Sequence, residues 1–106
     1  MAKKGVKSKA LKFDVSEIAD VLHVVANEKR LILLIEIIKS GEATVTSLAE
    51  AAGLSQSNAS QHLGKMRDAG LISFRRDAQT LWYRIADARV QYLIEALDGL
   101  FRQRGY

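Results

Sequence analysis

Apolar positions recur along this chain first at helical and then at strand spacing, and the change of period outlines its elements. Val15, Ile18, Val21, Leu22 and Val25 follow a helical repeat. With Asp14 or Ser16 as the cap, they predict a first helix from about Val15 to Ala26. Asn27 breaks the pattern and suits the N-cap of a second helix, roughly Glu28 to Ser40. That helix carries Leu31, Ile32, Leu33, Leu34, Ile35, Ile37 and Ile38 and is apolar on most sides, as the buried centre of a small α domain is. Ser40-Gly41 ends it. Ala43 to Val45 reads as a short extended segment, and Thr46 is the expected cap of a third helix with Leu48, Ala49 and Ala52 facing inward. Glu50 lies too late for a strict capping box.

Gly53 is the expected left-handed residue between the third and fourth helices. Ser55 caps the fourth helix, Ala59, Leu63 and Met66 form its core stripe, and Gly70 stops it with Leu71 packed behind. The period then shortens to two. Ile72, Phe74, Leu81, Tyr83 and Ile85 alternate with polar residues across a turn at Asp77-Ala78-Gln79, which predicts a hairpin. Asp87 caps a last helix over about residues 88–103, with Val90, Leu93, Ile94, Leu97, Leu100 and Phe101 along one stripe. No proline interrupts any of these helices. About five helices and two to three short strands make a mainly α fold with a small β-hairpin wing. Two short helices joined by a tight turn and followed by a basic hairpin form a winged helix-turn-helix.

Charge sharpens this outline. The net charge of +4 is uneven: residues 1–12 hold five lysines and no acid, and residues 13–54 hold three bases against seven acids. Residues 55–89, the fourth helix and the hairpin, hold six bases against three acids. The positive charge therefore lies on the tail and on the helix–wing region, a distribution suited to a polyanion. Residues 1–12 read as a disordered basic N-terminal tail, serving either as a solvated segment or as an arm on DNA, and residues 13–106 as a single domain. The longest apolar run, Leu31 to Ile35, is far too short to span a membrane, and no secretory signal is visible. The absence of cysteine excludes disulfides, thiol redox sensing and thiolate metal sites in this chain. A cytoplasmic protein fits these features.

The outward face of the fourth helix carries the candidate chemistry. At about 100° per residue, Ser57, Gln61, Gly64 and Asp68 point away from the core stripe, flanked by Asn58, Ser60 and Lys65, with Gln56 at the N-terminal end. Glutamine and asparagine can bond adenine at two points, and serine can bond several bases or phosphate. Gly64 lets a duplex approach, and Lys65 and Arg67 suit phosphate. An ordinary solvated face carries glutamate and lysine, whereas this one begins with Gln56, Ser57, Asn58, Ser60, Gln61 and His62, mediocre helix formers whose presence a contact surface explains better. Arg75, Arg76 and Gln79 lie at or near the wing tip, and wing arginines suit a minor groove or its phosphates. His62 falls at the edge between core and outer face, either on phosphate or as a buttress. His23 is a boundary residue of the first helix. Two distant histidines do not make a metal site, and no nucleophile–base set or phosphate-cradling glycine loop is present, so neither metal nor cofactor is expected and the chain is not read as an enzyme. Trp82 is read as a packing residue, with a partner surface as the alternative.

The run ANEKRLILL, then TSLAEAAGLSQSNASQHLGKMRDAGLI, then RRDAQTLWYRI, resembles the ArsR/SmtB family of bacterial winged-helix repressors over about residues 16–103. The wording of SQSNASQHL and RRDAQT is similar in particular to the NolR-, HlyU- and BigR-like branch. The resemblance implies a homodimer joined through the first and last helices and bound to an imperfect inverted repeat. The stripes Val15, Ile18, Leu22, Val25 and Leu93, Leu97, Leu100 suit that interface. Metal-sensing members place cysteines where this chain has Thr44-Val45-Thr46, or ligands on the last helix where it has Asp87, Arg89, Leu100 and Gln103. In thiol-sensing members cysteines stand at the positions that Ile35 and Arg102 occupy here. The reading is a homodimeric, sequence-specific repressor of transcription that binds double-stranded operator DNA without cysteine-based sensing. A derepressor responding to a metal or ligand through other residues, and a protein-interaction module using Trp82, are the rivals.

Overall fold

The computed structural model describes residues 12–103 of the chain. Five helices and three strands follow in the order α1 (Val15–Val25), α2 (Glu28–Ser40), β1 (Ala43–Thr44), α3 (Val45–Ala52), α4 (Gln56–Asp68), β2 (Ile72–Asp77), β3 (Thr80–Ile85) and α5 (Ala88–Gln103). The architecture is the winged helix-turn-helix outlined by the sequence pattern. The basic tail lies, but for Lys12, outside the described residues.

Local chemistry explains most boundaries. The Asp14 carboxylate accepts from the backbone N–H groups of Ser16 and Glu17 and so starts α1. The Asn27 side chain accepts from Arg30 N–H and starts α2, and Ser55 Oγ accepts from Asn58 N–H and starts α4. Such caps satisfy donors that the first turn leaves unpaired and stabilise a helix by about 1 kcal/mol each. Helices α3 and α4 end alike. Leu54 N–H donates to Ala49 C=O across Gly53, and Leu71 N–H donates to Met66 C=O across Gly70. Both glycines hold positive φ, 66° and 80°, where a Cβ would be strained.

One boundary differs from the sequence expectation. The cap of α3 is Thr44, whose Oγ1 accepts from Ser47 N–H, and not Thr46. The cause is nonlocal. Ala43 and Thr44 pair with Tyr83 and Trp82 of β3, which keeps the chain extended through Thr44 and frees it to coil at Val45.

The strands form one antiparallel sheet in the order β1–β3–β2, with β3 in the middle. Asp77 pairs with Thr80, so the wing closes through a two-residue turn in which Ala78 takes φ 57°. The core lies between α2, α3, α4 and the base of this sheet. Leu33, Leu34 and Ile37 of α2 form one buried cluster with Leu48 of α3, Leu63 and Met66 of α4, Leu71, Ile72 and Tyr83. Phe74 and Tyr83 pack with their rings tilted at 59° and their centroids 5.5 Å apart, and carry the core into the wing. Burial of α2 is less complete than its composition suggests, because Ile35 faces outward.

Helices α1 and α5 behave differently. Each anchors one end in the core, through Val25 with Val21 and Val24 beside it and through Val90 and Ile94 with Leu93 beside them, and leaves several other apolar side chains exposed. Val15 is 70% exposed, Leu22 46%, Tyr92 68%, Leu100 60% and Phe101 58%, far from what a stripe at core spacing would show if one protomer completed its packing. Of the stripe positions, Ile18 and Leu93 are half-buried, Leu97 is exposed, and Val25 is buried. Val25 is therefore a core residue of its own protomer that offers no surface to a second copy, because α1 dips into the core at its C-terminal end.

Candidate nucleic-acid interface

The turn between α3 and α4 sets the direction of the candidate reading helix. Gly53 reverses the chain, Leu54 tucks toward the core, and Ser55 opens α4 by accepting from Asn58 N–H. Ala59, Leu63 and Met66 are fully buried, which fixes the rotation of the helix about its axis. Gln56, Ser57, Asn58, Ser60, Gln61, Lys65 and Arg67 are consequently all exposed, on the faces that the core stripe leaves over. Gly64 leaves open space, since nothing stands within 4 Å of where its Cβ would be. The face is a polar, basic surface with a helix N-terminus at one end, and positive dipole and cations alike favour an anion there.

The residues of this face differ in how freely they can act. Gln56 donates through Nε2 to Thr46 Oγ1 at 3.1 Å, a contact from α4 back to α3 that the sequence pattern did not reveal. Arg67 lies 3.5 Å from the Asp68 carboxylate and over the Phe74 ring at 5.6 Å, which leans it toward the wing. Gln61, Ser57, Ser60 and Lys65 carry no side-chain hydrogen bond or ion pair among the described residues. His62 is half-buried at the edge of the face. Its Nδ1 accepts from Arg30 Nε at 3.0 Å. Burial, then the nearby charges of Arg30 and Lys65, hold its pKa below the usual histidine value, so the ring is neutral at neutral pH.

In the wing, alternation separates the two arginines expected to act together. Arg75 lies on the sheet face of Trp82 and Glu42, and its guanidinium bonds both carboxylate oxygens of Glu42 and covers the Trp82 ring at 5.6 Å. Trp82 lies half-buried beneath it. Arg76 points from the opposite face near the tip, exposed and without an intramolecular partner among the described residues, with Gln79 exposed beside the turn. The wing thus presents Arg76 and Gln79 freely and holds Arg75 at its base.

This geometry is that of a DNA-reading module, and it agrees with the similarity to known proteins. Residues 27–73, from the cap of α2 through the start of the wing, match the family model described as bacterial regulatory protein, arsR family. The nodulation protein NolR of Rhizobium meliloti is 43% identical over 83 residues, which cover 78% of this chain and 67% of that protein. The chain belongs to the ArsR family. It is a DNA-binding transcriptional regulator and not an enzyme. A biofilm growth-associated repressor of Agrobacterium fabrum is 36% identical over 81% of this chain and 73% of its own length. Among solved structures, the homodimeric winged helix-turn-helix DNA-binding domain Mb0332 of Mycobacterium bovis superposes with a TM-score of 0.76 at 29% identity, over 98% of this chain and 93% of that one. In this chain α4 is the second helix of the helix-turn-helix and the β2–β3 hairpin is the wing.

Among the described residues, no three or more His, Cys, Asp or Glu side chains cluster as a metal site would require. His23 is exposed on α1 and far in sequence from His62. No helix among those residues is long and apolar enough to cross a membrane.

Proposed function

We propose that this regulator is a homodimeric repressor that binds an inverted-repeat operator, with one α4 in each of two successive major grooves. The single observation carrying the reading is the fixed rotation of α4: the burial of Ala59, Leu63 and Met66 leaves Gln61, Ser57 and Ser60 pointing outward and unpaired. Gln56, Ser57, Asn58, Ser60 and Gln61 read base edges. Lys65, Arg67, Arg76 and His62 meet phosphates, Arg76 and Gln79 extend toward the minor groove, and Arg75 holds the wing that carries them. Protomers join through the open stripes of α1 and α5, using Val15, Ile18, Leu22, Leu93, Leu97 and Leu100, with Tyr92 and Phe101 beside them. The homodimeric Mb0332 domain and the repressor from Agrobacterium fabrum, both similar to this chain, support the assembly and the sense of regulation. With no cysteine in the chain, any inducer acts through other chemistry. A regulator of promoter DNA works in the cytoplasm, where we place it.

The test is binding of the purified full-length protein to DNA upstream of its own gene, against random competitor, over a salt series, with transcription from that promoter measured in parallel. A specific complex of two chains per site that lowers transcription and weakens steeply with salt is expected. Binding that is sequence-blind, or that involves one chain per site, contradicts the proposal, and a rise in transcription replaces repression with activation.

A further inference from the structure

Arg30 stands half-buried near the start of α2 and engages two other helices. Its Nη1 donates to the carbonyl oxygen of Val24, in the last turn of α1, at 3.0 Å, and its Nε donates to His62 Nδ1 on α4, also at 3.0 Å. The guanidinium is planar and rigid, so one group fixes two directions at once. It joins α1, which carries the exposed Val15 and Leu22, to the helix that carries Gln61 and Ser60.

The pairing also decides which nitrogen of His62 bears the proton. A guanidinium has donors only, so the nitrogen receiving its N–H must be the bare one. In the neutral ring the proton then sits on Nε2, and His62 has one remaining function, that of a donor. We propose that Arg30 is a positioning residue for operator recognition, which locks α4 to the α1 arm of the dimer and sets His62 to donate through Nε2 to a DNA phosphate oxygen. The proposal rests on the homodimeric DNA-binding reading above. His62 lies on the same flank of α4 as Asn58 and Lys65, four and three residues away, where a helix seated in a groove meets the phosphate strand. The charged groups bearing on the ring are Arg30 from α2 and Lys65 from α4, and both disfavour the imidazolium, which would have no acceptor for Arg30. In the dimer, the separation of the two reading helices depends on how each is held to the interface helices, so a loosened α4 loses fit to two half-sites before it loses its general attraction to DNA.

Three full-length variants separate these roles. Arg30→Lys keeps the charge and removes the planar pair of donors. His62→Gln places an amide N–H near the position of Nε2, whereas His62→Asn places its amide near Nδ1. Binding to the operator and to random duplex is measured over a salt series. Arg30→Lys is expected to weaken operator binding about tenfold while leaving the salt slope and random-duplex affinity as they are. His62→Gln keeps a donor near Nε2 but loses the acceptor for Arg30, so it is expected to lose operator binding about tenfold as Arg30→Lys does, whereas His62→Asn keeps that acceptor and loses the donor, and is expected to weaken operator and random duplex alike by about threefold. Equal loss on operator and random DNA would make Arg30 a phosphate contact itself and overturn the positioning role. No change on Arg30→Lys, or equal behaviour of the two His62 variants, overturns it also. The ring tautomer is read independently by nitrogen-15 NMR of the native protein without DNA. A protonated Nε2 and bare Nδ1 are expected, and the reverse contradicts the proposal even if a variant fails to fold. Failure of the repressor reading would look different, since the native protein would then show no operator-specific complex.

Discussion

Arg75 and Glu42, 33 residues apart in the chain, meet through two hydrogen bonds of 2.9 Å each. The pair ties the wing to the loop that precedes β1, and the Arg75 guanidinium covers Trp82 as it does so. A side chain engaged on both sides in this way is poorly available to a phosphate. Arg75 therefore braces the wing, and Arg76, exposed near the tip, is the wing arginine that the proposed function leaves to meet DNA.

That division predicts different behaviour from two neighbouring substitutions. Arg76→Ala is expected to weaken operator and random DNA alike and to reduce the salt slope by about one. Arg75→Ala is expected to leave the slope nearly unchanged and instead to broaden the amide resonances of the wing. The Arg75 bond, first among the causes, holds the Glu42 carboxyl below its ordinary pKa. The wing brace is thus present above the ordinary carboxylate range and is lost as pH falls through the folded-state value, not as pH rises. Titration of Glu42 by NMR in native protein and in Arg75→Ala checks the sign: the variant should titrate at the higher pH.

In the proposed function Gln61 is the side chain freest to read a base. It is exposed, has no partner within the protomer and points away from the buried stripe. Gln61→Ala should reduce discrimination between the operator and a singly mismatched operator by about 1–3 kcal/mol, with little effect on random DNA. Competition binding with a panel of mismatched duplexes checks this, and an unchanged preferred site would remove Gln61 from base recognition.

The open stripe of α5 predicts an oligomeric effect. Leu100 is 60% exposed in the protomer, so Leu100→Glu removes no core packing. It should shift the protein toward monomer in analytical ultracentrifugation and weaken operator binding by well over tenfold, because the two half-sites would no longer be bound as one event. A variant that stays dimeric would place the interface elsewhere. The buried Val25 makes a contrasting substitution: Val25→Ala should lower the melting temperature without dissociating the dimer at moderate temperature.

His62 gives the stability of the domain a pH signature. Its folded-state pKa is depressed by burial and by Arg30 and Lys65, so the folded chain resists taking up a proton that the unfolded chain accepts. Its contribution is full above the unfolded value of about 6.5 and is lost as pH falls below it. Thermal unfolding between pH 8 and pH 5 should show a fall that is smaller in His62→Gln. An identical fall in the two proteins would assign it to other groups.

The chain reveals its reading helix better than its wing chemistry, and the reason is distance along the sequence. Helix α4 is bounded by Ser55 and Gly70, and its rotation follows from Ala59, Leu63 and Met66, all local signals. Arg75 looked like a free cation because Glu42 lies outside any local window. The two threonines at 44 and 46 are equally good caps locally, and pairing of Thr44 with Trp82 chooses between them. Val25 continues the stripe of Val15 and Leu22, and nothing in the spacing tells where a helix dips into the core. Arg30 offers no motif at all; its role emerges only when the fold brings it to His62, 32 residues away.

The most direct test of the account is hydrogen exchange of the native dimer with and without its operator duplex. Protection is predicted over Gln56–Arg67 and at Arg76–Gln79, with α1 and α5 protected in both states. Protection confined to Trp82 and the base of the wing, with Gln56–Arg67 unchanged, would contradict α4 as the helix that reads DNA.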